Sequence, residues 1–66
     1  MLRVYSRRNC ERCARVKKEL NQKGHAFVEF IIGEDIDRDT VLGMFPGAKQ
    51  VPIVAENGRE VDPKDL

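Results

Sequence analysis

The two cysteines of this 66-residue chain lie three positions apart, in the segment Cys10-Glu11-Arg12-Cys13. Residues three apart in a helix have Cβ atoms about 5–6 Å from each other, so a small adjustment brings the two sulfur atoms within disulfide distance. The N-terminus of a helix also offers partial positive charge and free N–H groups, which stabilise a thiolate. The spacing therefore predicts a redox pair, with Cys10 as the attacking thiol and Cys13 as the resolving thiol.

Positive charge is concentrated around this pair. Arg7, Arg8 and Arg12 lie beside the cysteines and favour the thiolate, while Glu11 partly opposes them. Residues 1–25 carry a net charge of +6 and residues 26–66 a net charge of −5, although the whole chain has only +1. This asymmetry favours anionic partners for the part that carries the cysteines. With one Tyr and three Phe, the chain shows no stacking platform for nucleic acid, and we expect it to bind none.

Three other interpretations of the cysteines remain open at the level of the sequence. A structural disulfide across so short a loop would constrain the unfolded chain very little. Zinc requires four ligands, and the chain offers only the two cysteines and the distant His25, so a zinc site would have to be shared between chains. The two cysteines could also be inert members of the core.

The hydrophobic pattern predicts the elements that position the pair, because alternating apolar residues indicate strands and a 3.6-residue spacing indicates helices. Gly24 is expected to end the first helix, and Asn57-Gly58 is a strong signal for a tight hairpin turn. The predicted elements are a strand over 2–5, a helix from Cys10 or Glu11 to Lys23, a well-buried strand over 26–32, a helix over 38–45, and strands over 52–55 and 59–61.

In the second helix, Asp37 is the expected N-cap and Val41, Leu42 and Phe45 form the expected inner face. A strand–helix–strand unit normally makes a parallel crossover, and the closing hairpin adds antiparallel strands. The sequence therefore predicts one α/β domain over residues 1–66, with a four-stranded mixed sheet and two helices. Residues 62–66 are too few for another helix of any length.

Nearly the whole chain resembles the glutaredoxin family. The resemblance lies in the segment RRNCERC at residues 7–13 and in the pairs Val51-Pro52 and Asn57-Gly58. Residues 33–49 are similar to the small glutaredoxins of tailed bacteriophages. The resemblance implies a thioredoxin-like fold with the usual C-terminal helix missing, and a cis bond between Val51 and Pro52. It also implies a glutathione-dependent thiol–disulfide oxidoreductase that reduces protein or mixed disulfides, with glutathione as co-substrate, no permanently bound cofactor and no metal.

The same resemblance implies a substrate site for glutathione or a peptide. Arg7 corresponds to the basic residue that meets a glutathione carboxylate, Tyr5 to an aromatic residue near the site, and Val51 to the residue whose backbone pairs with the substrate. Residues 61–66 lack the family's Gly-Gly-acid motif, which holds the γ-glutamyl end of glutathione. The expected substrate-binding residues are Tyr5, Arg7, Arg12, Gln50, Val51 and Pro52.

Two alternative functions follow from related groups. The segment Lys49-Gln50-Val51-Pro52 also resembles glutaredoxin-like redoxins that reduce ribonucleotide reductase and are recharged by thioredoxin reductase. The other alternative is a glutathione-assisted iron–sulfur cluster carrier, in which two chains share a cluster through Cys10. A second cysteine within reach of the first argues against that role.

The expected partners are glutathione and disulfide-containing proteins, with ribonucleotide reductase suggested by the resemblance. No apolar segment reaches the length of a signal peptide or of a membrane helix, and we expect no membrane association. We therefore expect the protein to be in the cytoplasm, which is the host cytoplasm if the chain comes from a phage. We also expect it to be a monomer.

Overall fold

The computed structural model describes all residues, 1–66, and is built around a four-stranded sheet. The elements are, in chain order, β1 (Leu2–Ser6), α1 (Glu11–Gln22), β2 (Phe27–Ile31), α2 (Arg38–Met44), β3 (Ile53–Glu56), β4 (Arg59–Glu60) and a 3₁₀ turn (Pro63–Asp65). The central strand β1 pairs in parallel with β2 and antiparallel with β3, and β4 pairs antiparallel with β3. The strand order β2-β1-β3-β4 confirms the predicted mixed sheet, with α1 as the crossover between its two parallel strands.

The alternating side chains of β1 supply two separate cores, one on each face of the sheet. Leu2 and Val4 pack with Leu20 of α1 and Val54 of β3. Tyr5 points to the opposite face, where it packs with Val41 of α2, with Phe45 directly after that helix, and with Ile53 and Ala55 of β3. The helices α1 and α2 therefore cover opposite faces, and the carboxyl end of β1 leads into the loop that carries the cysteines.

The two helices begin close to their predicted starts. Helix α1 has 12 residues, and the chain leaves it through Gly24, whose φ of +80° is the left-handed conformation that glycine adopts most readily. Helix α2 has seven residues and begins after Asp37 as predicted, but the Asp37 side chain makes no capping hydrogen bond. Neither helix is long and apolar enough to span a membrane.

Two expectations about burial are wrong. The strand predicted as well buried, β2, is mostly half-buried, and Val28 keeps 41% of its surface exposed, because β2 is an edge strand that pairs only with β1. Leu42 does not join the inner face of α2 and is 40% exposed. Val41 and Phe45 lie four residues apart and occupy that face, whereas Leu42 is rotated about 100° from Val41 around the helix axis.

The closing hairpin forms at the predicted place. Asn57 and Gly58 have φ values of +54° and +79°, the left-handed pair that a two-residue type I′ turn requires. After β4 the chain makes the single 3₁₀ turn, and Leu66 packs against the core beneath α1. The chain from Asp62 onward thus adds cover to the α1 face without forming an α-helix, as the sequence predicts.

Candidate active site

The loop between β1 and α1 places the two cysteines at the start of the helix. Asn9 adopts a positive φ of 57°, and Cys10 follows in an extended conformation as the N-cap of α1. The Cys10 Sγ accepts a hydrogen bond from the backbone N–H of Cys13 at 3.2 Å. Both thiols are free; Cys10 is half-buried, whereas only 1% of the Cys13 surface is exposed.

The surroundings of the two thiols change their pKa values in opposite directions. The pKa of Cys10 is lowered, first by a hydrogen bond from the Cys13 thiol, then by the Cys13 backbone N–H, and to a smaller extent by the Arg12 N–H and the charge of Arg7. The pKa of Cys13 is raised to about 11, chiefly by burial and then by its hydrogen bond with Cys10. The accessible sulfur is therefore also the more acidic one.

A groove of about 470 Å³ opens beside Cys10. It contains four cationic side chains, those of Arg7, Arg12, Arg38 and Lys49, and no carboxylate. Its residues are Arg7, Cys10, Arg12, Ile32, Arg38, Val41, Leu42, Ala48, Lys49, Gln50, Val51 and Ile53. An apolar floor with a cationic rim is suited to a small anionic molecule or to an acidic peptide segment.

The sequence model of the glutaredoxin family matches residues 2–61, which include both cysteines and the whole sheet. The chain belongs to the glutaredoxin family. No curated protein matches the chain closely enough to be reported as a relative. Membership of the family establishes a thiol–disulfide oxidoreductase with a thioredoxin-like fold, which the four-stranded mixed sheet and its two helices display.

Most of the expected substrate-binding residues of this glutaredoxin come together in the groove. Arg7, Arg12, Gln50 and Val51 line it together with Cys10. The bond between Val51 and the half-buried Pro52 is cis, as the resemblance implies, although Pro52 itself does not line the groove.

Tyr5 lies outside the groove, in the core of the glutaredoxin fold. Only 2% of its surface is exposed, and its ring stacks on that of Phe30 with a centroid distance of 5.3 Å. The ring of Phe45 packs on it at 5.4 Å. Because Val41 and Ile53 belong to the same core cluster and line the groove, Tyr5 supports the groove floor from beneath.

The expectation that Arg8 adds positive charge to the thiolate is also corrected. Its guanidinium forms a two-point ion pair with Glu34, in which Nε contacts Oε2 and one terminal nitrogen contacts Oε1 at 3.0 Å. The pKa of Glu34 is lowered by this contact. The charge of Arg8 is thus matched by a carboxylate, and Arg7 is the arginine whose charge acts on Cys10.

Two cations of the groove were not among the expected site residues. Arg38 follows the N-cap of α2 directly, so the sequence placed it correctly on a helix but gave no sign that this helix start faces Cys10. Lys49 precedes Gln50 and lies close in sequence to the Val51–Pro52 pair, and this position was the only feature of the sequence that could have indicated that Lys49 lines the groove.

The cysteines have no third metal-ligating side chain near them, since no group of three or more His, Cys, Asp or Glu residues lies close enough to hold an ion. Zinc takes four ligands in structural sites, and one glutaredoxin chain of this sequence does not supply them. The arrangement of a protected thiol beneath an accessible, acidic one is suited to disulfide exchange.

Proposed function

We propose that this glutaredoxin reduces protein and mixed disulfides, with Cys10 as the nucleophile, Cys13 as the resolving thiol and glutathione as the electron donor. The observation that carries the proposal is the contrast between the two thiols at the start of α1. Cys10 is accessible and has a lowered pKa, whereas Cys13 is buried and has a pKa of about 11. The lowered pKa increases the thiolate fraction of Cys10, which is the reactive form, while Cys13 stays protonated at neutral pH.

The reaction then proceeds through a mixed disulfide. The Cys10 thiolate attacks one sulfur of the substrate disulfide, a Cys10–substrate bond forms, and the other substrate sulfur leaves as a thiolate that takes up a proton. Cys13 next loses its proton and attacks the Cys10 sulfur, which releases the second substrate sulfur and leaves a Cys10–Cys13 disulfide. Two glutathione molecules finally reduce that disulfide in two such exchanges and leave as oxidised glutathione.

The groove supports glutathione as the donor. Glutathione carries two carboxylates, and the cations Arg7, Arg12, Arg38 and Lys49 surround a groove that contains no carboxylate of its own. The volume of about 470 Å³ lies within the range of small-molecule sites, about 300–1,000 Å³. Val51 lines the groove close to Cys10, where its backbone is available to pair with the cysteinyl part of glutathione, as the family resemblance implies.

The roles of the two cysteines are tested by single substitutions. Cys10→Ser is expected to abolish reduction of a glutathione mixed disulfide, because a hydroxyl is a far weaker nucleophile than a thiolate. Cys13→Ser is expected to keep part of this activity, since a second glutathione can attack the Cys10 mixed disulfide directly, but to lose the reduction of intraprotein disulfides. Turnover that survives in the Cys10→Ser protein would show the assignment to be wrong.

The donor is tested by a coupled assay with two electron sources. Glutathione with glutathione reductase is expected to sustain turnover, and thioredoxin reductase alone is not. The opposite result would assign the chain to the redoxins that thioredoxin reductase recharges. A brown, iron-containing protein after anaerobic purification would instead indicate a cluster carrier.

We also propose that the substrates include proteins of the cytoplasm, with ribonucleotide reductase as the candidate that the family resemblance suggests, and that the chain acts as a monomer. Transfer of electrons from the reduced protein to oxidised ribonucleotide reductase, followed as deoxyribonucleotide formation, tests this substrate directly. Gel filtration of the active protein tests the monomer.

A further inference from the structure

A second depression shares Arg7 and Cys10 with the groove and extends along the start of α1. It has a volume of about 620 Å³, and both Cys13 and Lys17 line it. Lys17 follows Cys13 by one turn of α1, so the two side chains lie on the same side of the helix. The charge of Lys17 acts on the Cys13 sulfur, which must ionise during the second step.

The Lys17 ammonium group is held from two neighbouring strands. Its Nζ donates to Glu29 Oε2 of β2 at 2.6 Å, and the hydroxyl of Ser6, at the end of β1, donates to the same oxygen at 2.6 Å. Ser6 is completely buried, and the Lys17 and Glu29 side chains are each only 30% exposed. Lys17 is thus fixed beside the cysteines, unlike the exposed lysine that follows it, Lys18.

We propose that Lys17 assists the resolving step by stabilising the negative charge that develops on Cys13, and that Glu29 and Ser6 are the positioning residues that hold Lys17 in place. The proposal rests on the proposed function, because it needs Cys10 in a mixed disulfide and Cys13 as the attacking thiol. In that step the Cys13 proton passes to solvent, its thiolate attacks the Cys10 sulfur, the Cys10–substrate bond breaks, and the released thiolate takes up a proton.

Lys17 is the charged side chain that lowers the pKa of Cys13. Burial is the largest cause that raises this pKa, and the Cys10 hydrogen bond adds to it; the Arg7 backbone N–H lowers it, and the charge of Lys17 lowers it further, although Lys17 is paired with Glu29. Arg8 is paired with Glu34, and its charge is not among the causes that act on Cys13. The charged and titratable groups around Cys13 are Arg7 and Arg8 from the loop, Cys10, Glu11 and Lys17 from the start of α1, and Glu29 from β2 through its bond to Lys17.

The test uses 5,5′-dithiobis(2-nitrobenzoate), a disulfide that releases one coloured thiol in each of the two steps. In a stopped-flow experiment, the first release depends on reagent concentration and reports attack by Cys10. The second release is first-order, does not depend on reagent concentration, and reports attack by Cys13. A missing first phase would contradict the proposed function, whereas the response of the second phase to substitution decides the role of Lys17.

Lys17→Gln is expected to shift the pH profile of the second phase upward by about one unit and to leave the first phase unchanged. The Cys13 thiolate then falls about tenfold at pH 7, and its higher intrinsic nucleophilicity offsets roughly threefold of this loss, so the second phase slows about threefold. Lys17→Arg keeps the charge and is expected to keep the profile. Lys18→Gln removes an exposed charge from the adjacent position and is the matched control.

Glu29→Gln provides an independent check, because the amide oxygen can still accept the hydrogen bonds from Lys17 and Ser6 and keep Lys17 in place, while the negative charge that offsets the Lys17 charge is removed. It is expected to shift the second-phase profile downward, opposite to Lys17→Gln, and a purely structural role does not produce opposite shifts. Circular dichroism establishes that each variant is folded. The proposal is overturned if Lys17→Gln leaves the second-phase profile in place, if Lys18→Gln shifts it equally, or if both Lys17→Gln and Glu29→Gln slow the two phases alike without a shift.

Discussion

At the N-cap of α1, the sulfur of Cys10 accepts hydrogen bonds from the thiol and the backbone N–H of Cys13, and these bonds lower its pKa. Cys13 lies one turn further along the helix, beneath the surface, where burial raises its pKa to about 11. The backbone position of each cysteine thus sets its acidity more than the neighbouring charges do. Among those charges, only that of Arg7 contributes to the lowered pKa of Cys10.

The difference between the two arginines before Cys10 leads to a prediction. Arg7→Gln is expected to raise the pKa of Cys10 and to slow its alkylation by iodoacetamide at pH 7 about twofold, because a cation acting through water-exposed surroundings contributes a few tenths of a kcal/mol. Arg8→Gln is the matched control and is expected to leave the rate unchanged, because the Arg8 guanidinium is held at Glu34 and its charge is not among the causes of the lowered Cys10 pKa. Equal slowing of alkylation in both variants would mean that the charge of Arg8 acts on Cys10 despite its ion pair with Glu34.

At this scale the sequence predicts the backbone position of the cysteines better than their charged surroundings. The spacing of Cys10 and Cys13 predicted their place at a helix start, which the structure confirms. The pairing of Arg8 with Glu34 joins residues 26 positions apart, and no local pattern indicates it. The same is true of Arg38, whose approach to Cys10 depends on how α2 packs against the sheet.

The hydrogen bonds of Glu29 join α1 to β1 and β2, the three elements of the crossover that carries the cysteines. Its pKa is lowered, first by Lys17 and then by Ser6. A carboxylate whose pKa is lower in the folded state contributes its stability above its unfolded value, 4.5, and loses it as the pH falls through the folded value. The contribution of the Glu29 hydrogen bonds to stability therefore depends on pH.

Glu29→Gln is accordingly expected to lower the free energy of unfolding by about 1 kcal/mol at pH 7, a value reduced by the partial exposure of the pair. The difference from the unsubstituted protein is expected to shrink as the pH falls below 4.5 and to vanish once Glu29 is protonated in the folded state. Urea denaturation across this range measures it. Glu56→Gln, an exposed strand residue without a side-chain hydrogen bond, is the control, and an equal loss there would contradict the role of the network.

Two glycines allow a matched test of the backbone conformations of the elements. Gly58→Ala is expected to destabilise the protein by about 1–2 kcal/mol, because the left-handed φ of +79° brings Cβ too close to the following carbonyl oxygen. Gly43→Ala, inside α2 with open space around the added Cβ, is expected to stabilise it by about 0.5–1 kcal/mol. Thermal unfolding of both variants compares them, and a stabilising Gly58→Ala would contradict the type I′ turn.

The order and type of these elements were predictable because each depends on a local pattern. The alternation of apolar and polar residues, the helical spacing of apolar residues and the turn pair Asn57-Gly58 each extend over only a few residues. The prediction that β2 is well buried was wrong for a physical reason. A mostly apolar stretch such as residues 27–31, interrupted by Glu29, has the same composition in a central strand and in an edge strand, and its position in the sheet depends on long-range pairing. Leu42 was misplaced because the inner face of this short helix is occupied by Val41 and by Phe45, which directly follows the helix.

At the scale of the whole molecule, cations from both the positive and the negative part of the chain line the groove. Two of its cations, Arg7 and Arg12, come from the positive segment 1–25, whereas Arg38 and Lys49 belong to the negative remainder of the chain. The fold thus brings two cations of this acidic segment to the groove beside Cys10, whereas none of the carboxylates of the segment lines the groove. A concentration of like charge around a reactive centre raises the encounter rate with anions, and salt screens this effect.

This arrangement predicts a salt dependence that differs between substrates. The second-order rate constant for oxidised glutathione, an anion, is expected to fall severalfold between about 10 mM and 200 mM salt, because the Debye length shrinks from about 30 Å to less than 8 Å. The rate constant for the neutral 2-hydroxyethyl disulfide is expected to stay nearly constant. The double variant Arg38→Gln, Lys49→Gln is expected to lose about half of the salt slope, because it removes two of the four groove cations, and to leave the neutral substrate unaffected, because that substrate carries no charge for them to attract. An unchanged slope in the double variant would show that Arg38 and Lys49 do not attract the substrate.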